Sequence, residues 1–200
     1  MTTLENGFHD IPPGKVAMIV TYLEMRAPAD CKAIELPGDV SLRRVDASPD
    51  WYRDVFKRVG SQDWLWYGRL KLNDTELSAI LDDPAVEIYT LQTSERDEAL
   101  LELDFRTPGE CELAYFGLTS ALIGTGSGRF LMNEAIRRAF EKPISRFHVH
   151  TCTIDSPQAL GFYRRSGFVP VRQRVEIDDD PRSLGILPSH MGPNVPVFDP

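Results

Sequence analysis

No run of about 18 apolar residues occurs in the 200-residue sequence, and the opening MTTLENGFHD has no basic stretch followed by an apolar one. A membrane span and a secretory leader are therefore not expected. Cysteine is scarce: Cys31, Cys111 and Cys152 are odd in number and far apart, forming neither a disulfide framework nor a C-x-x-C redox or zinc pair. That usage suits a reducing cytosol, and a cytoplasmic location is expected. Positive charge is in deficit. With 22 Lys+Arg against 30 Asp+Glu, the formal net charge of −8 argues against a nucleic-acid partner held by phosphate neutralisation. Internal repeats and low-complexity blocks are also missing.

What is present is an ordinary globular composition, 42% hydrophobic and 26% charged. A chain of this length fits one domain that buries roughly 70% of its unfolded surface without a metal or disulfide staple. Residues 1–14 read as a loose arm ending at Pro12-Pro13-Gly14, and residues 1–39 as that arm plus an extra strand, Lys15 to Glu24. A strand at Val40 to Val45 precedes Ser48-Pro49, a capping serine with proline at the first helical position. Trp51, Tyr52, Val55, Phe56 and Val59 keep one helical face until Gly60. Trp64 to Leu72 alternates as a strand would, and Asn73 with Glu76 forms a capping box for a short helix to Leu81.

Beyond Val86 the spacing tightens. Val86 to Leu91, Ala99 to Phe105 and Cys111 to Leu118 predict an antiparallel meander. A helix over Gly126 to Phe140, a strand at Phe147 to Ile154, a helix from Ser156-Pro157 to Gly167 and a strand at Phe168 to Ile177 follow. The last 23 residues hold five prolines and predict an irregular tail, assigned to 179–200. The fold class expected is α/β, an α+β mixed sheet flanked by helices, with residues 40–178 as the main domain.

The most informative segment is Leu118 to Leu131, LTSALIGTGSGRFL. Glycines at 124, 126 and 128 lie between a strand and a helix, so backbone N–H groups and the positive helix end converge on one anion site. Glycine permits positive φ and close approach. A P-loop needs Gly-Lys-Ser/Thr, but Arg129-Phe130 follows Gly128; a dinucleotide fingerprint needs G-x-G-x-x-G after a first strand, but the spacing here is G-x-G-x-G. The bland alternative is a flexible turn without a ligand. His148, His150 and Cys152 alternate on one strand as H-x-H-x-C; side chains about 6–7 Å apart seldom converge on one ion, and no metal is expected.

Gly126-Ser127-Gly128-Arg129-Phe130-Leu131, followed by Ala159, Tyr163, Gly167 and Phe168 in an A-x-x-x-Y-x-x-x-G-F run, resembles the GNAT N-acetyltransferase superfamily over about Val40 to Ile177. The resemblance implies a mostly antiparallel central sheet flanked by helices. It also implies acetyl transfer from acetyl-CoA, the acyl donor, to a primary amine by direct attack in a ternary complex. Phe116, Leu118, Gly124, Thr125, Gly126, Ser127, Gly128, Arg129, Ser156 and Tyr163 would contact the coenzyme. The family's Gln/Arg position falls on Ile123, which leaves the diphosphate to backbone amides. Tyr163 would protonate the departing thiolate. A distorted strand near Phe116 to Leu118, with Gly117 as the pivot, would supply an N–H to the developing oxyanion.

The resemblance to histone-acetyltransferase-like members of the family implies Glu112, six residues before Leu118, as the base, with Glu102, His150 and a water relay as alternatives. Alternation places Glu112, Ala114, Phe116 and Leu118 on one face, with Glu102 and Asp104 on the neighbouring strand. Trp64, Trp66 and Gly68, with Trp51, Tyr52 and Tyr67, either wall the acceptor pocket or form core. The partner expected is a small-molecule or peptide amine, with neither nucleic acid nor membrane, and a homodimer through the Lys15 to Glu24 strand is compatible. The alternative from another class is a non-catalytic acyl-CoA-binding sensor or partner-binding domain.

Overall fold

The structure is a computed structural model that describes residues 4–199. Residues 1–3 of the expected arm and Pro200 of the tail lie outside the described residues. Lys15–Met25 forms β1, with Val16, Met18 and Val20 buried and Ala17 and Ile19 exposed in alternation. Ser41–Arg44 is β2. Helix α1, Pro49–Phe56, starts where predicted: Ser48 accepts from the Trp51 amide and Pro49 occupies the first position. Gly60 does not stop it. The chain continues as a wide turn over Lys57–Ser61, and Gly60 is small because Trp66 lies against it, 2.0 Å from where a Cβ would stand. Both halves of the Asn73–Glu76 capping box form at the start of α2, Asp74–Leu81.

Val86–Gln92 (β3), Ala99–Asp104 (β4) and Glu110–Leu118 (β5) make the antiparallel meander. Helix α3, Ser127–Glu141, crosses back to β6, Arg146–Cys152, which pairs with β5 in parallel. Helix α4, Ala159–Arg165, then leads into β7, Val169–Asp179. Together the strands form one sheet in the order β2-β3-β4-β5-β6-β1-β7.

The sheet is covered on both faces. Leu101, Leu103, Leu113 and Val149 point to α3, which contributes Leu131, Met132, Ala135 and Ile136. On the other face, Leu100 and Ile88 meet Tyr52, Val55 and Phe56 of α1 and Leu77 of α2. Each such side chain contributes roughly 1.5–3 kcal/mol through apolar burial.

Three expectations are corrected. Trp64 to Leu72 is not a strand: it is a loop with a short 3-10 turn at Gly68–Lys71. Its alternating pattern arises because Leu65 and Tyr67 are buried against β1 and the tail, without a sheet edge to pair with. β1 is not an edge available to a second copy, since β6 takes one side and β7 the other. It belongs to the sheet as fully as the strands after residue 39. The C-terminal stretch, finally, is irregular but anchored: buried Arg182 pairs with Asp180 and donates to the carbonyls of Met191, Gly192, Val195 and Pro196.

Candidate active site

β5 and β6 run side by side only from Glu110 to Glu112, opposite Arg146 to His148. Beyond that point they separate, and the wedge between them opens into a cleft of about 540 Å³. Leu113 to Leu118 line one wall. The distortion that helps to aim this wall lies at Ala114, where the β4–β5 register slips between Glu102 and Leu103. It does not lie at Gly117, whose missing Cβ instead admits Val59, 2.5 Å from that position, and Trp66. The slip also corrects the predicted alternation. Tyr115 faces α1, Phe116 stacks on Phe162 of α4 with ring centres 5.6 Å apart, and Glu112 and Phe116 therefore lie on opposite faces.

At the far end of this wall stands the glycine turn. Gly124 and Gly126 have φ of +83° and +91°, in the left-handed region, and Gly126 caps α3 without a side-chain acceptor. The first-turn amides of Gly128 and Arg129 lack intrahelical acceptors by position, so the turn presents donors and the positive end of a 15-residue helix to the cleft. Gly124, Gly126, Gly128 and Arg129 line it, as do Ser156, Phe116, Leu118 and Tyr163. Thr125 and Ser127 do not. Their hydroxyls bond each other at 2.7 Å and brace the turn from behind. Arg129 lies over the Phe162 ring and donates to Ser166. Ile123, exposed, forms the lip.

Tyr163 reaches the cleft from α4 with its ring buried against Phe116 and Phe168. Burial first, then the nearby Asp155 carboxylate, pushes its hydroxyl pKa upward, so it stays protonated. Among the base candidates the structure separates the roles. Glu102 is fully buried and receives hydrogen bonds from Tyr52 and Arg69, so it is a structural anchor outside the cleft. His150 lines the cleft, and its Nδ1 lies 3.4 Å from Glu112, which sits behind it. That hydrogen bond raises the His150 pKa and lowers that of Glu112. Glu112 and His148 face a neighbouring polar hollow with Asp104 and Arg106. No group of three or more His, Cys, Asp or Glu residues among the described residues is arranged to hold a metal.

The opposite wall is aromatic. Trp66 packs at a tilt against Phe56 and Tyr115, with ring centres 5.4 and 5.3 Å away, and donates its indole N–H to Asp155. Asp155 also accepts from Thr151 and the Cys152 amide, which locks the end of β6 to this wall. Trp64 and Tyr67 line the cleft beside it, whereas Tyr52 is core and Trp51 bonds Asp97 away from it. Lys71, Asp178 and Glu176 complete the rim, with Lys71 and Tyr67 both donating to Asp178. Sequence reading missed these three and Tyr115. Lys71 and Asp178 are 107 residues apart, so no local spacing could have joined them.

A curated mycothiol acetyltransferase of Jonesia denitrificans is 34% identical over 77 residues, covering 38% of this chain and 24% of that protein. A GCN5-related N-acetyltransferase from Sphaerobacter thermophilus shares the fold at a TM-score of 0.60 and 13% identity, over 92% of this chain and 54% of that one. One from Kribbella flavida matches at a TM-score of 0.54 and 20% identity, over 84% and 60%. The chain thus spans about a quarter of the curated relative and little more than half of these two structures. The family model for the acetyltransferase (GNAT) family matches residues 50–168, more than half of the sequence, and the chain belongs to that family.

Proposed function

We propose that this chain transfers an acetyl group from acetyl-CoA to a primary amine by direct attack in a ternary complex, in the cytoplasm. The observation that carries the reading is that one cleft gathers the unpaired β5 wall, the glycine turn of α3 and the Tyr163 hydroxyl. The cleft fits the donor. Positive φ at Gly124 and Gly126, with open space around the Gly124 Cα, leaves a cradle that a Cβ would fill, and the amides there suit a diphosphate. Acetyl-CoA supplies a thioester carbonyl open to attack.

The chain's own groups supply the rest. The β5 segment from Leu113 to Leu118 would pair with the extended pantetheine arm, and an amide beside the Ala114 bulge would polarise the carbonyl. Tyr163, protonated at neutral pH, would donate to the departing thiolate. His150, oriented by Glu112, would take the proton from the attacking ammonium, directly or through water. The aromatic wall and the Glu176 and Asp178 rim would receive the acceptor, a small-molecule or peptide amine. The curated relative's name, a mycothiol acetyltransferase, supports acetyl transfer and leaves the acceptor to this wall.

The test is mass-spectrometric detection of acetyl transfer across an amine panel. Transfer is expected, with Tyr163→Phe lowering kcat by about 100-fold while acetyl-CoA affinity is kept. Acetyl-CoA binding with no transfer to any amine would support the non-catalytic acyl-CoA-binding reading instead.

A further inference from the structure

We infer that β7 is a self-complementary edge through which two copies of this chain join into one continuous sheet. β7 is 11 residues long and, among the described residues, pairs only with β1, so its outer edge presents unpaired backbone groups. Such an edge normally carries a device against pairing. Pro170 supplies one at the start of the strand, and Arg172 to Asp179 has neither proline nor bulge, its charges being the one device against pairing with an unlike edge.

The sequence of that stretch, R-Q-R-V-E-I-D from Arg172 to Asp178, is antisymmetric in charge about Val175. In antiparallel pairing about a two-fold axis at Val175, each residue meets the one equally far on the other side. Arg174 of one copy then meets Glu176 of the other, twice per pair of chains, and Val175 meets Val175. Among the described residues neither charge is committed to a salt bridge: Arg174 lies 5.7 Å from the centre of the Tyr22 ring, and Glu176 borders the cleft. The same rotation brings the sign of Arg172 opposite that of Asp178.

The other face of the strand agrees. Val175 pairs in register with Ile19 of β1 and Ile177 with Ala17, and Ile19, Val175 and Ile177 are each about half exposed, at 48, 49 and 51%. That is an uncovered apolar strip directly beside the edge. Edge pairing would double the strip across the axis and remove the open edge at one stroke. The occupant is a second copy because the charge pattern complements itself in reversed direction, and a partner with a different pattern would set like charges opposite one another.

Light scattering coupled to size exclusion, on the full chain at micromolar concentration, tests this without reference to activity. The wild type is expected at twice the 22.6 kDa chain mass. Arg174→Glu and Glu176→Arg each place like charges opposite one another and should weaken the dimer on the order of tenfold or more. The double exchange, Arg174→Glu with Glu176→Arg, restores opposite charges and should restore the dimer. Circular dichroism of each variant confirms that the chain remains folded. A monomeric wild type overturns the proposal, as does a dimer indifferent to either single change or a double exchange no better than the singles.

Discussion

Gly126 shows how one residue sets the shape of the turn that opens α3. Its φ of +91° costs an alanine there roughly 1–3 kcal/mol and strains the turn, while the added Cβ would meet only Ile34, at 3.6 Å. Gly126→Ala should therefore lower thermal stability and weaken acetyl-CoA binding together, read by melting curves and by calorimetry. His150 and Glu112 give a pH signature. The His150 pKa is raised above 6.5 by its carboxylate neighbour, so its stabilising effect is complete below 6.5 and is lost as pH rises through the raised value. Glu112, lowered from 4.5, contributes above 4.5, and that contribution is lost as pH falls through the lowered value. As a base, His150 acts only when neutral. kcat/KM should rise with pH through an inflection above 6.5, and Glu112→Gln should move that inflection lower. An unmoved inflection would remove the pair from proton transfer.

At the scale of elements, local signals were legible wherever local hydrogen bonds decide the outcome. Ser48 and the Asn73–Glu76 box cap their helices as the letters indicate, and the glycine turn opens α3 where expected. Trp64 to Leu72 mimics a strand in the letters because its alternation reflects burial by distant partners. Leu65 lies against Gly192 of the tail and Trp66 donates to Asp155, contacts that no window of neighbouring residues contains. The Ala114 bulge was equally hidden, since its cause is the register of β4 against β5. The tail itself matters to the cleft. Leu187, Met191 and Val195 pack with Leu65, Tyr67 and Ile154, which line the cleft. Arg182→Ala leaves Asp180 as a buried unpaired charge and should cost about 3–5 kcal/mol in chemical denaturation. Arg182→Lys, milder, should raise KM for the amine more than KM for acetyl-CoA.

For the whole molecule, the sheet order explains why the N-terminal strand could not be placed from the sequence. β1 enters between β6 and β7, more than 100 residues away in the chain, and antiparallel pairing on both sides fixes it there. In doing so it extends the floor of the cleft with Met18 and Val20 and brings β7 close enough for Glu176 and Asp178 to form the rim. Part of the cleft floor and rim is thus built by Met18, Val20, Glu176 and Asp178, outside the matched family segment, while the aromatic wall and the glycine turn lie within it. Substrate choice and donor binding should accordingly separate under mutation. The most direct measurement of the central claim is an amide NMR titration of the full chain with acetyl-CoA. Saturable shifts of the Gly124, Gly126, Gly128 and Arg129 amides, together with those along Leu113 to Leu118, are predicted. Unmoved signals at these positions under saturating coenzyme would contradict the account.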